Sequence, residues 1–219
     1  AKQQQLIGFL HDLGTVLCFV DDPRLMETTV LNPRWVTEGI YKILNTPALQ
    51  ADGGVLDCSQ LGTLLDPKTY RLSTGHFLLD MLRKFELCFD LPHTNGQQVL
   101  LPDLLPVEKP ELGDWTGTLA FDYHYAVLPG SIMVRFIVRK HDLLDRSRLW
   151  RNGAVLQEPK SGNTALIQAD KDARRIRVRV GGPEAGRRGL PALIRGEVRA
   201  IPRSFAALAV TEQVPITEA

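Results

Sequence analysis

The chain has 219 residues and a formal net charge of +1; 44% of its residues are hydrophobic and 23% are charged. This composition is typical of an ordinary globular protein with a core. The sequence contains no apolar run of about 18 residues and no basic leader followed by an apolar segment, so we expect no membrane span. The three cysteines are odd in number, lie far apart and match no zinc or disulfide spacing. They indicate a reducing, intracellular setting, so we expect a cytoplasmic location.

Charge divides the chain into two parts. Residues 1–114 contain 9 Lys and Arg against 15 Asp and Glu, whereas residues 115–219 contain 17 against 10. A split of this size favours two structural units with different surfaces. Residues 101–114 contain three prolines and no apolar periodicity, which is typical of a linker. We therefore predict two domains, 1–113 and 114–219.

The first domain is predicted to be mainly helical. Apolar residues at helical spacing, bounded by capping residues, prolines and glycines, predict four helices. They are expected before Gly14, from Asn32 to Leu44, over 58–65 and from Thr74 to Phe85. A short strand is expected over 15–20, and Thr94-Asn95-Gly96 between two apolar runs predicts a β-hairpin. Helices followed by a hairpin are the order of a winged-helix unit.

The second domain is predicted to be an antiparallel or mixed sheet with helices packed on it. Strands are expected over 118–126, 149–157, 164–168 and 175–180, and helices over 130–143 and from about Leu190 to Phe205, where Pro202 must end or kink the last one. In the last strand, three arginines alternate with Ile176, Val178 and Val180, the pattern of a half-buried strand. The predicted fold class is α+β, with a winged-helix-like first half and a sheet-based second half.

Three segments in a fixed order carry a resemblance to a known family. They are Leu10–Phe19 (LHDLGTVLCF), Phe121–His141 (FDYHYAVLPGSIMVRFIVRKH) and Leu149–Leu156 (LWRNGAVL). The central segment predicts a strand of alternating aromatics that leads into a helix after Pro129. Together the three segments resemble the COR (C-terminal of Roc) domain of the Roco family of multidomain GTPases, relatives of the leucine-rich-repeat kinases.

The resemblance implies that this chain is a non-catalytic dimerisation and relay module. In Roco proteins the COR region pairs two copies and couples that pairing to the nucleotide state of the neighbouring Roc G domain. The chain has no G-x-x-x-x-G-K-[ST] phosphate-binding loop. GTP and Mg²⁺ are therefore expected in a Roc domain upstream, with no cofactor in this chain, and a start without Met suggests a fragment. The expected partners are that Roc domain and a second copy of the chain, with no nucleic acid.

Two contact surfaces are predicted. Tyr123 matches the residue that, in Roco proteins, lies at the junction of the COR and Roc domains, so we expect its ring to be partly exposed. The predicted interface with the G domain consists of Tyr123, Tyr125 and Pro129. The hairpin around Asn152-Gly153 carries side chains that are common in interfaces, and an exposed tip is expected after it. The predicted dimer interface there consists of Trp150, Arg151, Val155 and Leu156.

Two other functions remain open from the sequence. A winged-helix regulator could bind nucleic acid and sense a ligand through its second domain, although the negative first domain would repel phosphates. An enzyme would need clustered catalytic groups, and the five histidines share no metal-ligand spacing. The basic stretch Arg174–Arg179 is interpreted as a solvated sheet face, with contact to an acidic protein surface as the alternative. RNA and acidic membranes fit it less well because it lacks aromatic residues for stacking.

Overall fold

The computed structural model describes residues 2–26, 29–30, 32–184, 188–201 and 209–214. Contacts divide the chain into two units, residues 1–104 and 105–219. The boundary predicted from the sequence, after residue 113, lies nine residues later than the observed one. Residues 105–113 belong to the second unit, where Leu112 packs against Trp150 and Val155. Both units combine helices with antiparallel sheets, so the predicted α+β class is confirmed. None of the described helices is long and apolar enough to cross a membrane.

The described residues of the first unit form five α-helices and two small sheets. The helices are α1 Lys2–Asp12, α2 Pro33–Leu44, α3 Pro47–Ala51, α4 Leu61–Leu64 and α5 Leu72–Lys84. The strands are β1 Leu17–Cys18, β2 Thr29–Val30, β3 Val55–Asp57, β4 Phe89–Asp90 and β5 Gln98–Leu100. β1 pairs with β2, and the three-stranded sheet has the order β3-β5-β4. Short 3-10 turns occupy Cys58–Gln60 and Pro102–Leu104.

Local sequence signals explain most of these boundaries. Pro33 begins α2 directly after an extended Asn32, although the Asn32 side chain makes no capping hydrogen bond. Asp57 caps the turn before α4 by accepting a hydrogen bond from the Ser59 amide. Thr74 was predicted to cap α5, which was wrong: the helix begins at Leu72, because the residue before it, Arg71, already has the extended backbone of an N-cap.

The predicted hairpin is confirmed, and a third strand joins it. The Thr94 hydroxyl donates to the Leu91 carbonyl at 2.7 Å and accepts from the Gln98 amide at 3.4 Å, which holds the loop closed. Gly96 has a φ of 74°, a conformation that glycine adopts without steric cost. β3, which the sequence did not predict, pairs with β5 and completes the sheet over a core that includes Leu78 and Leu82.

In the described part of the second unit, six antiparallel strands form one sheet. Its elements are β6 Leu119–Tyr125, α6 Ser131–Arg139, β7 Leu144–Trp150, β8 Gly153–Gln157, β9 Thr164–Asp170, β10 Arg175–Gly181, α7 Gly189–Ala200 and β11 Val210–Gln213. The strand order is β11-β6-β10-β9-β8-β7. The single strand predicted over 149–157 was wrong, because the chain turns between Trp150 and Gly153. β11 was not predicted, and the predicted helix end around Pro202 lies outside the described residues.

The sheet has two faces of different chemistry. On the helix face, the alternate residues Ile176, Val178 and Val180 of β10 are buried, and α7 packs against the sheet with its own apolar stripe. On the open face, β10 presents its arginines, as its alternation predicted. One end of the open face is covered by a small cluster made of Leu112, Trp115, Trp150, Val155 and Leu166.

The turn between β7 and β8 gives a test of this packing. A Cβ atom added at Gly153 would lie 2.3 Å from the Trp150 ring and 2.5 Å from the Ile167 carbonyl oxygen. We therefore expect Gly153→Ala to lower the free energy of unfolding by about 1–3 kcal/mol, because neither neighbour can move freely. Urea unfolding measures the change.

Gly196 provides a matched control for that substitution. It lies within α7, and nothing comes within 4 Å of an added Cβ. Gly196→Ala should raise stability by about 0.5–1 kcal/mol, because alanine favours the helix. If the Gly153→Ala chain is as stable as the parent chain, the Trp150 ring does not pack as closely against this turn as described.

Candidate functional site

Tyr123, the residue singled out from the sequence, lies in β6 on the helix face of the sheet. It pairs with Ile176 on one side and Glu212 on the other. Its side chain is only 2% exposed, so the expectation of a partly exposed ring was wrong. The cause is the register, which turns the ring toward the helices instead of toward solvent. Tyr123 therefore cannot contact a partner directly through its ring.

The Tyr123 hydroxyl reaches a charged cluster at the edge of the sheet. Glu212 in β11 accepts hydrogen bonds from Arg195 at 2.6 Å and from Arg199 at 2.8 Å. The Tyr123 hydroxyl donates to the same carboxylate at 3.5 Å. Burial raises the pKa of Tyr123 above its ordinary value, so the hydroxyl keeps its proton. This Glu212 cluster joins β6, β11 and α7.

The two arginines of the cluster are held by helix geometry. Residues four apart in a helix lie on the same side, so Arg195 and Arg199 of α7 both face β11. Their like charges would repel, but one carboxylate binds both. The Glu212 side chain is 14% exposed, whereas the arginines are about half exposed, at 48% and 55%. The cluster is thus closed on the sheet side and open to solvent on the helix side.

Tyr125 and Pro129 occupy different surroundings. Tyr125 is 5% exposed, and its hydroxyl has no hydrogen-bond partner among the described residues. Burial raises its pKa. Pro129 is half-buried in the turn 126–130, where Val127 is 63% exposed and Arg174 donates to the Ala126 carbonyl at 3.2 Å. Of the three residues predicted for the G-domain interface, only Pro129 lies at the surface.

A groove opens beside the Glu212 cluster, between β6 and the beginning of α7. Its volume is about 650 Å³. Apolar side chains form part of its lining, and among them Leu119 is 43% exposed. Charged side chains line the rest, including Arg195 of the Glu212 cluster. The groove residues are Leu119, Phe121, Glu184, Arg188, Pro191, Ala192 and Arg195. A lining that combines apolar and charged side chains is compatible with a protein–protein contact.

Two family models match the chain: the C-terminal of Roc, COR-A domain over residues 1–105, and the C-terminal of Roc, COR-B domain over residues 116–219. Together they account for nearly the whole sequence. The chain belongs to the COR family. This COR domain consists of a COR-A half and a COR-B half, and the site described above lies in COR-B.

Known proteins that resemble this COR domain are much longer. It is 26% identical over 166 residues to a probable serine/threonine-protein kinase, pats1, of Dictyostelium discoideum, covering 68% of this chain and 5% of that protein. It is 24% identical over 161 residues to a Roc-COR-CHAT protease of Runella zeae, covering 72% of this chain and 17% of that protein. A structure of Methanosarcina barkeri Roco2 RocCORdC bound to GDP is 39% identical, covering 48% of this chain and 32% of that one, with a TM-score of 0.43.

The residues predicted for the dimer interface are mostly internal to the COR domain. Trp150 is 3% exposed, and Val155 and Leu156 are fully buried. Trp150 and Val155 belong to the cluster on the open face, and Leu156 faces the helices. Arg151 is half-buried: its backbone N–H donates to the Pro106 carbonyl and its side chain to the Leu105 carbonyl. The interface prediction for the three apolar side chains is corrected, because they stabilise their own unit.

The alternative functions receive little support from the described residues. No group of three or more His, Cys, Asp or Glu residues in the described ranges could hold a metal ion. A winged-helix unit would need a basic helix for DNA, and in α5 the Arg83 side chain is bound by Asp80 at 2.8 Å and by Asp90 at 2.6 Å. An arginine occupied by two carboxylates is poorly placed to bind a phosphate backbone. The hypothesis of a nucleic-acid-binding regulator is therefore not favoured.

Because Tyr123 is buried, we expect its substitution to change the free energy of unfolding. Tyr123→Ala should lower the free energy of unfolding by about 3–5 kcal/mol, because it leaves a cavity beneath α7. Tyr123→Phe removes only a long hydrogen bond and should cost about 1 kcal/mol or less. Urea unfolding of both variants measures the difference.

Tyr41→Ala is the control, since the Tyr41 side chain is 59% exposed in α2. That variant should unfold within about 0.5 kcal/mol of the parent chain. A Tyr123→Ala protein as stable as Tyr41→Ala would show that the ring is not enclosed in solution.

Proposed function

We propose that this COR domain is a non-catalytic module that contacts a Roc G domain of the same protein, pairs with a second copy and couples the two events. Family membership supports the proposal, as does a relative whose name joins Roc and COR in one protein. GTP and Mg²⁺ would bind to the Roc domain, since this sequence has no phosphate-binding loop.

The G domain is proposed to occupy the groove between β6 and α7 together with the turn 126–130. Both surfaces expose apolar side chains, Leu119 and Val127, that water solvates poorly. The observation that carries the proposal is the position of Arg195. It lines the groove and is bound to Glu212 in the cluster that includes Tyr123. A partner in the groove would therefore contact a residue of the cluster, and Tyr123 would be a positioning residue.

This arrangement supplies a physical route for coupling. A partner that covers the groove excludes water from the Arg195–Glu212 ion pair, and charges interact more strongly where solvent screening is reduced. The change in this pair reaches β6 through the pairing of β11 with β6. Any such coupling is reciprocal: if G-domain contact alters self-association, self-association alters G-domain contact by the same free energy, typically about 1–3 kcal/mol.

Self-association is part of the proposal, through a surface other than the buried hairpin core. The β8–β9 tip is exposed at Gln157, Pro159, Lys160 and Gly162. Hydrogen bonds hold it in shape: the Gly162 amide donates to the Glu158 carbonyl, and Ser161 bonds the Glu158 carboxylate. The edge strand β7 is less suitable, because its register with β8 is irregular between Leu144 and Leu149. A contact at this tip would be polar.

The groove proposal predicts the effect of a charge placed among the apolar side chains of its lining. Leu119→Glu should weaken binding of a separately prepared Roc domain at least 10-fold, because a carboxylate in an apolar contact loses its hydration. The measurement is a titration of the Roc domain with this chain.

Val107→Glu is the matched control, because Val107 is 59% exposed in the same unit and does not line the groove. Its affinity for the Roc domain should equal that of the parent chain. Equal affinities for Leu119→Glu and Val107→Glu would contradict a G-domain contact in this groove.

The corrected dimer surface predicts two different outcomes for two substitutions. Leu156→Asp should lower the free energy of unfolding by more than about 3 kcal/mol, because it buries an unpaired charge. Lys160→Glu at the exposed tip should leave stability within about 0.5 kcal/mol and weaken self-association. Urea unfolding and sedimentation at several concentrations measure the two effects. The proposed tip would be contradicted if the Leu156→Asp chain folds but stays monomeric while the Lys160→Glu chain associates like the parent. That result would support an interface at the hairpin core instead.

A further inference from the structure

The open face of the sheet carries a row of arginines that the proposed function does not use. Arg175, Arg177 and Arg179 occupy alternate positions of β10, so all three project from the face opposite α7. They differ in their partners. Arg175 donates to Asp122 at 3.1 Å and lies 3.6 Å from Asp170, so its charge is balanced.

The other two arginines keep most of their binding capacity. Arg177 is 44% exposed and lies 3.7 Å from Asp170, too far for a hydrogen bond. Arg179 is exposed, and its guanidinium group has no ion-pair or hydrogen-bond partner among the described residues. Lys109 lines the same depression as both arginines and is also exposed. Positive charge is therefore in excess at this end of β10.

These side chains line a groove and not a flat surface. Three adjoining depressions, of about 520, 460 and 350 Å³, share Arg177 in their linings. Trp115 lines two of them; its indole N–H donates to the Leu112 carbonyl at 2.9 Å, which fixes the wall. The Asp114 carboxylate also lines one of them; it accepts hydrogen bonds from the Thr116 amide and hydroxyl, and it forms no ion pair with either arginine among the described residues.

We propose that this groove on the open face binds an acidic peptide segment in extended conformation. Residues two apart in a strand are about 6.6–6.8 Å apart, and the same spacing separates side chains i and i+2 of an extended ligand. Glutamates or aspartates at alternate positions would thus meet Arg177 and Arg179 together, and guanidinium groups bind carboxylates through paired hydrogen bonds. This role goes beyond the proposed function and involves the opposite face of the sheet.

The groove fits a peptide better than a nucleic acid or a membrane. The Trp115 ring is 9% exposed and held in place, so bases cannot stack on it. Asp170 and Asp172 line one end of the groove, where they would repel a continuous phosphate backbone, whereas a peptide can carry its carboxylates only opposite Arg177 and Arg179. The large apolar residues in the lining, such as Leu166 and Val178, are buried, so the groove offers no large apolar side chain for insertion into lipid.

Fluorescence anisotropy with labelled peptides tests the proposal on this chain alone, with no Roc domain present. The probe is a 12-residue Glu-Thr repeat; the controls are a Gln-Thr repeat and a peptide with the same number of glutamates at every third position. The Glu-Thr repeat should bind, both controls should bind more weakly, and added salt should weaken binding. No binding of the Glu-Thr repeat, or equal binding of the Gln-Thr repeat, would overturn the proposal.

Variants locate the site. Arg177→Gln and Arg179→Gln should each weaken binding about 2- to 5-fold, the range of an exposed ion pair. Arg146→Gln, an exposed arginine of β7 outside the groove, should have no effect. Thermal unfolding of each variant verifies the fold. Equal affinity of all three variants would overturn the assignment, and tighter binding of single-stranded RNA or phosphatidylserine vesicles than of the peptide would overturn the choice of ligand.

Discussion

The register between β6 and β10 determines the chemistry of both faces of the sheet. The two strands pair antiparallel, with Tyr123 opposite Ile176 and Asp122 opposite Arg177. Because side chains alternate between faces, a shift of one residue would bring tyrosine and arginine onto the same face, either by turning the tyrosine to the open face or by turning the arginines toward the helices. The Arg175–Asp122 ion pair crosses these two strands and favours the observed register. The groove beside α7 and the arginine groove on the opposite face both depend on this pairing.

The position of Tyr123 shows how a core residue can affect an interface. Its ring fills space beneath α7, while its hydroxyl bonds the carboxylate that fixes Arg195. Removing the ring would disturb the helix, and removing the hydroxyl would alter only the support of an exposed arginine. The family signature around Tyr123 therefore determines the packing of the core. Through that packing it also determines how an exposed arginine is held at the surface. Exposure of a signature residue is not required for a role at a contact.

Sequence patterns predicted the elements whose signals are local. The alternation in β10, the turn around Gly96 and the proline at the start of α2 each fix structure within a few residues. The burial of Trp150 depends on Leu112, almost forty positions earlier in the chain, which no local pattern reveals. The same holds for the contact of Tyr123 with Glu212, because the four-residue strand β11 is too short for its alternation to be distinctive.

β11 also has a consequence for where this domain can be cut. It covers the outer edge of β6 and supplies the one carboxylate that two arginines of α7 share. A boundary drawn after α7, where the regular helices end, would leave β6 as an open edge with free N–H and C=O groups, the usual starting point of strand-to-strand aggregation. It would also leave two uncompensated cations side by side on one helix. The last described strand is thus a closing element of the COR-B fold, and fragments for expression should retain it.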